Sequence, residues 1–144
     1  MDDRRWIQIL PSDAHLTDAP VSADVQLEDG SARFEAGAGL LYRFQPAPSR
    51  YYSFLLTGDY QLRFAVNIGK GERPIYKSRS DAVRVDDFNK LGIASRGSEF
   101  FLFVNEQHVR TIVDQELSNG GIAVVASGTG RFAFRNLTIY HEVT

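Results

Sequence analysis

Cysteine is absent from this 144-residue chain, which removes a disulfide framework, a thiolate zinc site and a cysteine nucleophile from consideration. The absence leaves the compartment open, because reduced and oxidising environments both hold proteins without cysteine. An excess of either charge is also lacking: 16 basic residues face 18 acidic ones, for a net charge of −2. The charges are scattered rather than gathered into a basic run, so nucleic acid is not an expected partner. No apolar stretch approaches the roughly 20 residues that span a bilayer, so this segment is not expected to insert into a membrane. The start, MDDRRWIQILPSD, lacks the long apolar centre and small-residue cleavage site of a secretory signal. The three histidines, His15, His108 and His141, are too far apart for a short metal-ligand spacing.

Three further absences bear on chemistry. No glycine-x-serine-x-glycine elbow occurs, so serine acyl transfer has no sequence support. No glutamate-x-aspartate-x-x-glutamate string occurs, the spacing that sandwich glucanases use to place two carboxylates on one strand. The adjacent acids Glu28-Asp29 and Asp86-Asp87 would diverge in a strand and sit beside turns. No catalytic residue and no cofactor are therefore expected. Calcium at Asp59, Asp86 or Asp87 is conceivable, but turn acids without an ion are the simpler expectation.

What is present is alternation. Ten phenylalanines and a hydrophobic fraction of 43% suit one packed domain over residues 1–144, excised from or part of a larger protein. Apolar residues recur every second position rather than every third or fourth, which predicts strands and no major helix. Strands are expected over 5–10, 21–27, 37–44, 51–57, 60–67, 75–77, 109–113, 121–126 and 132–141, with Gly, Pro and Asp turns between them. The clearest unit is the hairpin over 89–109. Phe100, Leu102 and Val104 form its core-facing set, and Phe101 and Phe103 the opposite set. Gly97 supplies the turn with a residue that tolerates positive φ. Gly69-Lys70-Gly71 and Gly128-Thr129-Gly130 read as further hairpin turns, not phosphate loops, since no helix follows either. Such short strands imply an antiparallel sandwich or barrel.

The order of strands resembles the concanavalin A-like sandwich domains, including the keto-disaccharide hydrolase-like and laminin-G-like group. Gly39-Leu40-Leu41-Tyr42-Arg43-Phe44 followed by Tyr51-Tyr52 is similar to their opening strands. Asn89, Leu91, Ile93, Leu102, Val104 and Asn105 match their "asparagine-x-leucine-x-valine … phenylalanine-x-valine-asparagine-glycine" hairpin. Gly120 to Val124 and Phe134 to Ile139 resemble their closing strands. The resemblance implies an all-β, antiparallel two-sheet jelly roll with one concave and one convex sheet. It also implies an extracellular, bacterial setting as an accessory domain of a larger protein. Two departures stand out. Glu106 replaces the glycine after Asn105, which predicts a wider or different turn, and Arg135 replaces an acid before Asn136.

A shared fold does not supply a shared function. The first expectation is a non-catalytic module, possibly carbohydrate-binding through the concave sheet. The alternatives are a glycoside hydrolase-related domain and a protein-interaction module that uses a free sheet edge. The candidate ligand-binding residues are those opposite the predicted core: Gln61, Arg63, Asn67, Phe101 and Phe103, with Arg43 less certain in phase. Rings that cover sugar C–H surfaces beside amide and guanidinium donors suit carbohydrate. In the plainer reading, Phe101 and Phe103 pack beneath the 78–87 or 109–119 loop. Asn136-Leu137-Thr138 has the glycosylation acceptor pattern within a predicted strand.

Overall fold

The computed structural model describes residues 17–28, 36–46, 48–128 and 130–140, with 5–9 as backbone. Eleven strands run through them: β1 Arg5–Ile9, β2 Val21–Glu28, β3 Gly37–Gln45, β4 Arg50–Thr57, β5 Leu62–Asn67, β6 Glu72–Ser78, β7 Asn89–Arg96, β8 Glu99–Val104, β9 Gln107–Val113, β10 Gly121–Ser127 and β11 Arg131–Ile139. They form a six-stranded sheet in the order β1-β10-β3-β4-β5-β6 and a five-stranded sheet in the order β11-β2-β7-β8-β9. Every pairing is antiparallel. The expected strands are all present, and the expected jelly-roll sandwich is the fold.

The inward rows interdigitate between the sheets. Leu40, Tyr42, Tyr52, Phe54, Leu62, Phe64 and Val66 come from the six-stranded sheet, and Val25, Leu91, Ile93, Phe100, Leu102 and Val104 from the other. Phe100 is fully buried with its ring 4.5 Å from Tyr52 and 5.8 Å from Phe64, centre to centre. Burying one such side chain stabilises the fold by about 1.5–3 kcal/mol. The β7–β8 hairpin thus turns Phe100, Leu102 and Val104 inward as its alternation predicts. Gly97 takes φ 61° in the two-residue turn that pairs Arg96 with Glu99, a backbone region costly for a side chain with a Cβ.

Three turns differ from expectation. Asn105 and Glu106 both adopt positive φ, 51° and 70°, and Val104 pairs directly with Gln107. The loop is therefore a tight two-residue reversal of the kind that suits the twist of antiparallel strands, not a wider one. Glu106 simply occupies the position where glycine is easier. β10 and β11 do not form the expected hairpin. β10 belongs to the six-stranded sheet and β11 to the five-stranded one, so the chain crosses the sandwich between them. The 69–71 turn is a true hairpin, but shorter than expected, because β6 already begins at Glu72.

Candidate functional site

Each sheet of a sandwich has its own outer face, so "opposite the core" names two surfaces. This divides the predicted site residues. β5 lies in the six-stranded sheet and β8 in the five-stranded one. Arg63 and Asn67 therefore face away from Phe101 and Phe103 across the thickness of the molecule, and the expected single floor beside Arg63 does not form.

On the six-stranded sheet, Leu41, Phe44, Tyr51, Leu55, Ala123 and Val125 make a second buried apolar cluster. The Tyr51 ring stacks on Phe44 with centroids 6.3 Å apart, and its hydroxyl leaves the cluster to donate to Glu72 Oε2 at 2.8 Å. Glu72 Oε1 accepts from Arg63 Nη1 at 2.5 Å. Asn67 Nδ2 donates to the Tyr51 hydroxyl at 3.4 Å, and Asn67 Oδ1 accepts from the Gly69 amide at 2.7 Å. The register explains the gathering: Asn67 pairs with both Tyr51 and Glu72, and the β5–β6 hairpin brings Glu72 beside the Arg63 row. The Arg63 and Glu72 side chains keep 23% and 22% of their surface exposed, so the ion pair is open to a ligand. Ser53, the next outward residue of β4 after Tyr51, is fully buried and its hydroxyl has no partner.

Gln61 precedes β5 and belongs to a turn. Its Nε2 donates to Asp59 Oδ2 at 2.6 Å, while the Thr57 hydroxyl donates to Oδ1 at 2.6 Å. Partial burial raises the Asp59 pKa, but these two donors and the Lys77 charge outweigh it and leave the carboxyl below its ordinary value. Gln61 is thus occupied with the turn.

Arg43 is not on an outer face. It sits in a β-bulge between Tyr42 and Gln45 with φ 53°, which turns its side chain into the end of the sandwich, where 2% stays exposed. The guanidinium donates to the carbonyls of Leu117 at 2.9 Å and Gly97 at 2.7 Å, to Asp18 Oδ1 at 2.8 Å and to the Ser95 hydroxyl at 3.1 Å. It also lies 4.6 Å above the Phe100 ring. Gly120, at φ 148°, lies so close that a Cβ there would fall 2.2 Å from the Arg43 carbonyl carbon. Arg43 ties three connections together; its alternation phase is broken by the bulge.

On the five-stranded sheet, Phe101 and Phe103 are half-buried, with the His108 ring 6.4 Å and 5.5 Å away. Phe103 borders an open groove of about 260 Å³ whose floor includes Ser22, Gly92 and Ala94. His15 and His141 lie outside the described residues. Among the described residues, no three His, Asp or Glu side chains gather as metal ligands would, and no helix is long and apolar enough to cross a membrane. Asn136, of the acceptor pattern, takes φ 56° in β11 and donates to Asp24 Oδ2 at 2.8 Å.

Sequence reasoning missed Glu72 and Tyr51. With a strand expected only from residue 75, Glu72 falls in the connection before it, and Tyr51 reads as a core aromatic until β4 is known to carry apolar residues on both faces. The available signal was the short Gly69–Gly71 reversal, which sets Asn67 opposite Glu72.

No protein-family model matches the sequence, and no curated protein does. Solved structures do. The carbohydrate-binding module CBM66 from Bacillus subtilis superimposes with a TM-score of 0.81 at 17% identity, covering 98% of this chain and 84% of that one. The Caenorhabditis elegans galectin LEC-6 gives 0.66 at 13% identity, covering 98% and 92%. The Bacillus licheniformis β-glucanase gives 0.63 at 9% identity, covering 98% and 79%. At these identities the likeness is one of architecture: the chain has the concanavalin A-like jelly-roll fold.

Proposed function

We propose that this domain is a non-catalytic, carbohydrate-binding accessory module, with its sugar site at Arg63, Glu72, Tyr51 and Asn67 on the outer face of the six-stranded sheet. The observation that carries the reading is the partly exposed Arg63–Glu72 pair braced from below by Tyr51. A guanidinium beside a carboxylate offers donors and acceptors in one plane, the pattern that two neighbouring sugar hydroxyls require. Tyr51 donates to Glu72 and itself accepts from Asn67, and holding the carboxylate in this way lowers the ordering cost of binding. A carbohydrate-binding module and a galectin among the similar folds support the same reading.

Glucanases share the architecture too, and sugar hydrolysis needs two carboxylates flanking the scissile bond. The strands of this sheet carry one carboxylate, Glu72, and both its oxygens already accept hydrogen bonds. No second carboxylate on these strands stands across from it to share the acid and base roles. Binding without cleavage is the better fit.

The test is a glycan array followed by calorimetric titration of the best oligosaccharide. Binding should fall at least about tenfold in Arg63→Ala and in Glu72→Gln, and persist in Phe101→Ala on the opposite face. Absence of binding across a broad array, or equal loss in Phe101→Ala, overturns the assignment. New reducing ends on incubation with the bound sugar overturn its non-catalytic part.

A further inference from the structure

The outer face of the five-stranded sheet carries a second, chemically different hollow that the sugar reading does not use. β2 and β7 pair Ser22 with Gly92, and the missing side chain of Gly92 leaves a gap between them and Phe103. A Cβ built there would meet Phe103 Cβ at 3.4 Å, the Val21 carbonyl at 3.7 Å and Ser22 Cβ at 3.8 Å. The groove over this gap is about 260 Å³, lined mainly by apolar atoms, with Phe103 and the exposed Tyr140 at its sides. At its floor the Ser22 side chain is 5% exposed, and its hydroxyl has no hydrogen-bond partner. A buried, unpaired hydroxyl is costly and uncommon without a reason.

Lys90 and Glu106, paired at 3.2 Å, mark where the groove meets a polar hollow of about 300 Å³. That hollow holds Arg84, Lys90 and Arg135 against Asp24 and Glu106. Both carboxylates are taken, Glu106 by Lys90 and Asp24 by Arg135 at 3.1 Å and Asn136 at 2.8 Å. Arg135 is also stacked 3.8 Å over the Phe88 ring. Arg84 engages Asn89 through its backbone. Its exposed guanidinium makes no hydrogen bond or ion pair among the described residues. One cation is therefore left over in the polar hollow that adjoins the apolar slot and its unsatisfied hydroxyl.

We propose that this face binds a small aromatic carboxylate, with its ring over Gly92 and Ala94 against Phe103 and its carboxylate at Arg84. A pyranose, with hydroxyls on every side, suits a slot lined mainly by apolar atoms less well than a flat ring does. An uncharged ring would leave the Arg84 charge unanswered. A ring hydroxyl would further give Ser22 its missing partner, reached by rotation between the staggered wells of its χ1.

Backbone-amide NMR of the whole chain, titrated with millimolar phenylacetate, tests this. Shifts should centre on Ser22, Gly92, Ala94 and Phe103. The neutral amide, phenylacetamide, should bind several-fold more weakly, and Arg84→Gln should abolish that preference. Para-hydroxyphenylacetate should bind about three- to tenfold more tightly than phenylacetate, an advantage lost in Ser22→Ala. Gly92→Val, which fills the slot, should remove the shifts; if it misfolds, Gly92→Ala, whose added Cβ meets only ordinary contacts, serves instead. Shifts absent from the groove, equal binding of acid and amide, or binding that survives both Gly92 variants overturns the proposal. Loss of sugar binding in Arg63→Ala bears on neither outcome, because that residue lies on the other sheet.

Discussion

Asn105 Nδ2 donates to Asn89 Oδ1 at 3.0 Å, joining the end of β8 to the start of β7. Asn89 is fully buried; it accepts from the Arg84 amide at 2.7 Å and donates to the Arg84 carbonyl at 2.8 Å. Asn105 in turn accepts from the Lys90 amide at 2.9 Å and donates to the Ala82 carbonyl at 2.7 Å. Two side-chain amides thereby hold the irregular 79–88 segment onto the hairpin, satisfying backbone groups that no strand can reach. The paired asparagines of the sequence pattern have this physical work.

Asn89→Ala removes one donor and one acceptor at a dry site and leaves their partners unpaired. It should cost about 2–4 kcal/mol of stability by chemical denaturation. The Arg84 amide should also lose its protection from hydrogen exchange, whereas amides of β4 keep theirs relative to global unfolding.

Glu106→Gly should stabilise the domain by about 1 kcal/mol, because glycine accepts the positive φ that costs glutamate energy. The exposed ion pair with Lys90 that it gives up contributes little. A denaturation midpoint that moves down would show that Glu106 has a compensating role.

Arg43→Ala strips the shared donor from two carbonyls, Asp18 and Ser95, and should cost on the order of 3 kcal/mol. Arg43→Lys should recover little of that. One ammonium lacks the planar fork that spans these partners.

The alkaline limb of stability should be steep. Burial, outweighing the Ser95 hydroxyl and Arg43 charge, pushes the Tyr42 phenol from 10.0 up to about 12. Burial, and then the hydrogen bond to Asp114, pushes Tyr52 up as well. The folded state keeps these protons after the unfolded chain has lost them. Their contribution is therefore whole below pH 10 and declines as pH rises toward the folded values. Unfolding free energy measured across that range should fall more gently in Tyr42→Phe, which also lacks the hydroxyl bond to the Ala19 carbonyl at 2.8 Å.

The strands, the sandwich and the inward set of the β7–β8 hairpin were legible from period-two alternation alone, because burial on one side imposes it. What alternation cannot carry is which sheet a strand joins. That is why Phe103 and Arg63, each correctly placed away from the core, lie on opposite faces. Arg43 escaped for another reason: a bulge resets the phase locally, and no residue in the Tyr42-Arg43-Phe44 run announces it. Glu72 was hidden by the glycines before it, which suggested a longer turn than the two strands needed.

The exchange of the chain between sheets has a kinetic side. β3 waits for β10 to gain its second neighbour, and β2 waits for β11, so the middle of each sheet is completed by residues near the far end of the sequence. Contacts so distant along the chain close slowly. A nascent or truncated chain lacking the last two strands would present two central strands with bare hydrogen-bonding edges, an invitation to self-association. The domain therefore gains its protection against aggregation only once β10 and β11 have been made and paired.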